Sequence, residues 1–316
     1  MKKHVLSIGS VSIDIKAFSP VYNETESYRD GTIDLVPGGV ARGMAMNLRR
    51  LGLSSSILSV VGKDIFGDYL RRDLAGAGVC VSLLRTSEKR RTSLFSVMAM
   101  GSRPASCVYC NDVLQEIRFD SDVRSFIEAE QVTAAAIDSN LPEQTLKDIY
   151  AYAECVRKSG REFFVFQNAT APDIAHKSLP YAGLVDLFGC NEFEAAALLE
   201  YAGLVPAGTE LIPDAELARL FAKLGYGNFI ITFGARGVLV YCGGGTYIEK
   251  PYTPSEIVDT IGAGDAFASG FLYGFMDGTP VRRCIHYGLC CARETLQTRE
   301  TVSALLSADW LERTEA

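Results

Sequence analysis

Short apolar runs bounded by small residues alternate along this chain with longer segments whose apolar positions recur at helical spacing. Val5 to Gly9 is the first such run and reads as a buried strand of a parallel sheet. Ser56 to Val61, Thr133 to Ile137, Phe163 to Phe166, Val185 to Phe188, Phe229 to Thr232 and Gly237 to Tyr241 read the same way. Between the strands, Val40, Met44, Leu48 and Leu51 share a helical face that Gly52 closes. Gly62-Lys63-Asp64-Ile65-Phe66-Gly67 leads into a helix ending near Ala77. Further helices are expected from Pro142 to Lys158, from Asn191 toward Tyr201, over the apolar run Ala268 to Phe275, and from Pro280 to about Leu296. Thr92 to Met100 and Ala105 to Cys110 form a hairpin pattern around Gly101-Ser102-Arg103-Pro104. Residues 15–36 are polar and irregular, and suit strands that leave the main sheet or a long loop. Strands separated by helices of this length imply right-handed crossovers and an α/β, doubly wound, mainly parallel sheet flanked by helices. With no repeat, low-complexity tract or long linker, residues 1–316 are expected to form one domain, with a small β lid from about 15–36 and 92–112.

Composition narrows the partners. Hydrophobic residues make up 48% and charged residues 22%, which suits a sizeable core. A net charge of −7 argues against a nucleic-acid surface, because phosphate backbones attract basic patches. Nine scattered cysteines, mostly inside apolar runs, fit a reduced, cytoplasmic chain rather than a disulfide framework. Cys107 and Cys110 have metal-knuckle spacing, but no second pair accompanies them, and a structural reading is expected. The apolar stretch after Lys2 and Lys3 is too short for a secretory signal, and no run is long enough to span a membrane.

The candidate chemistry centres on Asp259-Thr260-Ile261-Gly262-Ala263-Gly264-Asp265-Ala266-Phe267, read as a loop opening a helix. Gly262 and Gly264 permit a tight turn and a close ligand. The first amides of a helix lack internal partners and lie at its positive end, which makes an anion site. Asp265 there is either a cap for the helix or a base beside bound phosphate. A dinucleotide-binding loop would need glycine where Phe267 stands. Gly62-Lys63 is not a phosphate-binding Walker loop, since Asp64 replaces the required Ser or Thr. Asn191 and Glu194 share a helical face, either as a capping box or as a phosphate and metal pair. Thr232-Phe233-Gly234-Ala235-Arg236-Gly237 is either a plain turn or a nucleotide loop. Asp14 lies just past the first strand, where open α/β sheets hold ligands, or else caps a turn.

Taken whole, the nine-residue string resembles the signature of the ribokinase-like (PfkB) family of sugar and nucleoside kinases. The resemblance implies a ribokinase-like fold and ATP as phosphoryl donor. It also implies that Asp265 is the base for the acceptor hydroxyl, with the amides of Gly262, Ala263 and Gly264 holding the transferring group. Asn191-x-x-Glu194 is similar to the family motif that orders Mg²⁺, with Glu194 acting through water and Asn191 on the phosphate side. Thr232, Gly234, Arg236 and Gly237 are similar to the family's nucleotide loop. Asp259 and the Ile261 carbonyl align with a monovalent-cation site, which would take K⁺. Asp14, Gly38-Gly39 and Gly62-x-Asp64-x-x-Gly67 extend the resemblance over nearly the whole chain.

Within the family, Gly38-Gly39-Val40-Ala41-Arg42, Ile137 to Glu143 and Asn111-Asp112 are most similar to the pseudouridine kinases. That implies phosphorylation of the ribose 5′-hydroxyl of a C-nucleoside, with Asp14, Gly38, Gly39, Arg42, Asn111 and Asn140 around it. One position departs: where the family carries Asn, this chain has Gly43. Either Arg42 or Asn47 replaces that amide, or the acceptor is another sugar or nucleoside, such as ribose, adenosine or inosine. Asn47 equally suits an exposed helix position. A non-catalytic nucleotide- or sugar-binding regulator is the reading from a different class, and a homodimer through the lid strands is expected.

Overall fold

The computed structural model describes residues 3–19, 30–100, 103–209 and 212–314. The chain runs β1 (His4–Ile8), β2 (Ser12–Ser19), β3 (Thr32–Gly38), α1 (Val40–Arg50), β4 (Ser54–Gly62), α2 (Ile65–Gly76) and β5 (Cys80–Ser87). Next come β6 (Ser93–Met100), β7 (Arg103–Cys110), α3 (Ser121–Ala129), β8 (Ala134–Asp138), α4 (Glu143–Lys158) and β9 (Phe164–Asn168). β10 (Leu187–Asn191), α5 (Glu192–Tyr201), α6 (Asp214–Ala222), β11 (Phe229–Thr232), β12 (Val238–Cys242) and β13 (Gly245–Glu249) follow. α7 (Ala263–Met276), α8 (Val281–Thr295) and α9 (Ala308–Arg313) complete the chain.

The large sheet has nine strands in the order β13-β12-β11-β10-β9-β8-β1-β4-β5. It is parallel from β11 across to β5, and antiparallel only where β12 and β13 close one edge. β1 explains why its sequence reads as an uninterrupted apolar run. Leu6 and Ile8 pack on one face with Leu146, Ile149 and Tyr150 of α4. Val5 packs on the other with Met44 and Leu48 of α1 and Phe267 and Phe271 of α7. Both faces of such a strand are dry. α7 and α8 pack closely because Gly270 has no side chain, and a Cβ there would lie 2.6 Å from the Tyr287 carbonyl oxygen.

The expected strands and helices are present, and the doubly wound parallel sheet is as read. β5, β13, α3, α6 and α9 were not anticipated. β13 is an edge strand with no buried residue, and α9 is only six residues long, so neither writes a strong apolar pattern.

β1 is flanked by β8 on one side and β4 on the other, so the winding reverses there. Crevices at the carboxyl ends of strands beside such a reversal are where open sheets bind ligands. A separate four-stranded sheet, in the order β3-β2-β6-β7, rises from this point. It contains the strands expected of the lid. Tyr22, Tyr28, Gly101 and Ser102 lie outside the described residues. Asp14 lies within β2, not in a turn or cap as one reading had it. No helix among the described residues is long and apolar enough to cross a membrane.

Candidate active site

Gly262 is the residue before α7 and sits at φ +90°, where a Cβ would lie 2.4 Å from the Thr301 carbonyl oxygen. Only glycine fits that turn. Ala266 is the first residue whose amide bonds back into the helix, to the Gly262 carbonyl at 2.9 Å, while the Ala263 amide reaches Thr260 at 3.4 Å. The amides of Gly264 and Asp265 thus lie at the positive end of α7, beyond the intrahelical ladder. A Cβ on Gly264 would meet nothing within 4 Å, so the loop borders free space.

Asp265 lines two adjoining cavities, one of about 250 Å³ and one of about 130 Å³. The residue as a whole is half-buried, while its carboxyl group faces Gly43 and is surrounded by protein. That burial, reinforced by the carboxylates of Asp138, Glu194 and Asp14, pushes its carboxyl up to about 8. Its side-chain donor among the described residues is Asn168 Nδ2, at a long 3.5 Å from Oδ1.

The larger cavity lies under the small sheet. Asp14 is 5% exposed and accepts the Ser12 hydroxyl at 3.1 Å, and burial raises its carboxyl above the ordinary value. A Cβ at Gly38 would lie 2.1 Å from Asp14 Oδ1, so Gly38 makes room for that carboxylate. Gly39 precedes α1 at φ +96° and borders the cavity. Asn111 and Asn140 line it too. Asn111 Oδ1 accepts the Ser93 hydroxyl, and the Asn140 amide donates to Asp138 Oδ1 at 2.6 Å.

Asn191, Glu194, Thr232 and Gly264 border the smaller cavity. Asn191 caps α5 by accepting the amides of Phe193 and Glu194, and Glu194 Oε2 accepts the Asn191 amide at 2.8 Å. The capping box is therefore real, and it presents the buried Glu194 to the cavity. Burial raises its carboxyl.

Other expected residues have different surroundings. Arg236 stacks 4.7 Å over the Phe233 ring, pairs with Glu192 and lies 4.0 Å from Asp214, and it does not line either cavity. Gly237, at φ +111°, would clash with the Glu249 carbonyl oxygen if it bore a Cβ, so its backbone serves the β12–β13 edge. Gly234 opens the same turn, at φ +56°, and does not border either cavity. Arg42 is buried away from the larger cavity and donates to Asp73, the Pro37 carbonyl and the Thr301 hydroxyl. Asn47 is fully buried, not exposed, and neither of its amide atoms has a hydrogen-bond partner. Neither residue replaces the amide absent at Gly43. A Cβ at Gly43 would sit 3.3 Å from Asp265 Oδ2, so the glycine faces the carboxylate directly. Ile261 borders the larger cavity and donates its amide to Asp259 Oδ1 at 3.0 Å, while Asp259 Oδ2 is held by the ammonium of Lys16.

Sequence reading missed Asn168, Thr170, Asp138 and Ser10. Thr170 borders both cavities and sits at φ +71°, uncommon for a β-branched residue. Asp138 is fully buried and takes the amide and hydroxyl of Ser10 at 2.6 and 2.5 Å. Their one legible signal is position, at or just past the carboxyl ends of β1, β8 and β9.

A doubly wound sheet, a small sheet over the switch point, and a helix-start carboxylate shared by two cavities define a small-molecule kinase of the ribokinase-like class. Residues 2–308 match the pfkB family of carbohydrate kinases, and the chain belongs to that family. It is 26% identical to a pseudouridine kinase of Escherichia coli over 313 residues, covering 97% of this chain and 94% of the relative. It is 28% identical to a cytidine kinase of Thermococcus kodakarensis over 295 residues, covering 90% and 96%. An Arabidopsis thaliana ribokinase complexed with ribose and ATP superposes with a TM-score of 0.79 at 19% identity, covering 99% of each chain. The protein is an ATP-dependent carbohydrate or nucleoside kinase acting on an alcohol group.

Proposed function

We propose that the protein transfers the γ-phosphoryl group of ATP to the 5′-hydroxyl of a nucleoside, with pseudouridine as the acceptor. The observation that carries this is the position of Asp265 on the boundary between the two cavities. The acceptor occupies the larger cavity, where Asp14 accepts hydrogen bonds from ribose hydroxyls and Asn111 and Asn140 face the base. The ATP phosphates enter the smaller cavity beside Thr232, Asn191 and Gly264. The Asp265 carboxylate takes the proton as the acceptor oxygen bonds to phosphorus and the bond to the ADP oxygen breaks. The amides of Gly262, Ala263 and Gly264, at the start of α7, stabilise charge on the phosphoryl oxygens. The small sheet acts as a lid that keeps water from the phosphoryl group.

Magnesium fits Glu194 as one participant. The side chain is buried, one oxygen remains outside the capping box, and no lysine, arginine or histidine pairs with it among the described residues. No cluster of three or more His, Cys, Asp or Glu among the described residues forms a metal cage, so ATP oxygens and water would complete the shell. Bound there, Mg²⁺ would neutralise phosphate charge. Ile33, Leu35, Met98 and Val108 leave an apolar surface on one face of the small sheet, which we assign to a second copy of the chain. Sedimentation across a concentration series checks that assignment.

Pseudouridine is favoured by the relative with that activity and by the segments quoted above. Gly43 favours a second reading, another sugar or nucleoside, because position 43, which faces Asp265 Oδ2, offers no side-chain amide to an acceptor. ADP release from Mg-ATP over a panel of pseudouridine, cytidine, adenosine, inosine and ribose separates the two. Highest kcat/KM with pseudouridine supports the proposal, and preference for another acceptor replaces it. No turnover on any acceptor contradicts the catalytic assignment.

A further inference from the structure

We infer that the ammonium of Lys16 is a built-in replacement for a monovalent cation beneath the anion loop, so that turnover does not require potassium. The inference rests on the kinase reading above for its catalytic consequence, and on geometry alone for the site. Lys16 Nζ lies 2.5 Å from Asp259 Oδ2 and 2.9 Å from the Arg299 carbonyl oxygen. A carboxylate oxygen and a backbone carbonyl are the ligands a hard cation would take. Both are already engaged by one positive charge whose side chain is only 12% exposed. A second cation on the same oxygen would be repelled at short range. The residues present therefore do not fit K⁺ at Asp259, and the potassium site expected from the sequence is corrected to an internal ion pair.

The placement gives the charge a task beyond local pairing. Asp259 Oδ1 holds the Ile261 amide, one residue before the Gly262 turn that opens α7. Lys16 thus fixes the carboxylate that fixes the loop. It acts through Asp259 and is a positioning residue. Lys16 also lies two residues from Asp14 on β2, on the same strand face. The neighbouring strand joins the arrangement: Arg299 reaches Asp34 on β3 at 3.2 Å, and the Thr301 hydroxyl donates to the Pro37 carbonyl at 2.8 Å. A free ion would stabilise the loop in proportion to its concentration. A lysine on the small sheet instead links the acceptor-side strand to the loop whatever the salt composition.

The test compares wild type, Lys16→Ala and Lys16→Arg in KCl and in choline chloride at equal ionic strength. Wild-type kcat should be the same in both salts within about twofold. Lys16→Ala should lose about 10- to 100-fold in kcat in choline, more than it changes acceptor KM, and added K⁺ or methylammonium should restore much of the loss. Lys16→Arg should remain indifferent to potassium. Thermal unfolding supplies a readout that needs no turnover: K⁺ should raise the midpoint of Lys16→Ala and leave wild type unmoved. Strong potassium activation of wild type would overturn the inference. So would a Lys16→Ala protein that responds to K⁺ neither in rate nor in midpoint, which would make Lys16 a mechanical latch. If no acceptor turns over, the kinase reading fails, and the unfolding comparison still decides the site.

Discussion

Two helices of this protein begin with a glycine loop and an aspartate, and the two aspartates have opposite chemistry. Asp64 precedes α2 and accepts the Gly67 amide at 2.9 Å, the Thr92 amide at 2.8 Å and the Thr92 hydroxyl at 2.6 Å. Partial burial works to raise its carboxyl, but those hydrogen bonds outweigh it and leave the group below its ordinary value. Asp265 stands at the equivalent end of α7 with one long side-chain donor and three carboxylates nearby, and its carboxyl rises to about 8. A satisfied carboxylate holds structure together. An unsatisfied one in a cleft is free to take a proton. The surroundings, not the shared pairing of glycine and aspartate, assign the role.

Removing the reactive member should have the largest effect. Asp265→Asn should lower kcat by about 10²- to 10⁴-fold, the range that general bases contribute, and steady-state ADP release checks it. The same variant should be more stable than wild type near pH 8. The folded state holds its proton up to about 8, and the unfolded chain releases it near 4. Between those values the folded state binds more protons, so raising pH destabilises it, by at most about 1.4 kcal/mol per unit. Asn removes that loss, and unfolding midpoints at pH 5 and pH 8 should show the difference.

The structural member should behave in reverse. Asp64→Ala should cost about 0.5–2 kcal/mol of stability through the lost cap while leaving kcat per folded molecule within about twofold. Denaturant unfolding and active-site titration separate the two quantities. The smallest effect concerns Gly43, whose added Cβ would sit 3.3 Å from Asp265 Oδ2. Gly43→Ala should raise acceptor KM about fivefold through crowding of about 1 kcal/mol, with ATP KM unchanged.

Much of this was legible in the sequence because buried parallel strands and glycine turns write local patterns. Val5 to Gly9, the α1 stripe and the Gly262 turn all read correctly for that reason. The edge strand β13 and the short helix α9 bury too little to do so. Within the candidate site, Asp265, Asp14, Asn111, Asn140 and Glu194 line the cavities, whereas Arg42 does not, because Asp73 claims its guanidinium. No local pattern could disclose that claim across 31 positions of sequence. Nor could it pair Lys16 with Asp259, 243 positions away, or show that Asn47 turns inward. Long-range partners decide such residues, and only the fold supplies them.

The most direct test of the account is the pH dependence of kcat/KM for the acceptor, measured with both substrates below saturation. If Asp265 is the base, the value should rise tenfold per pH unit in the acid range and level off near pH 8. Asp265→Asn should lose that rise together with the activity. A flat profile from pH 6 to 9, or an Asp265→Asn enzyme of near wild-type rate, would contradict it.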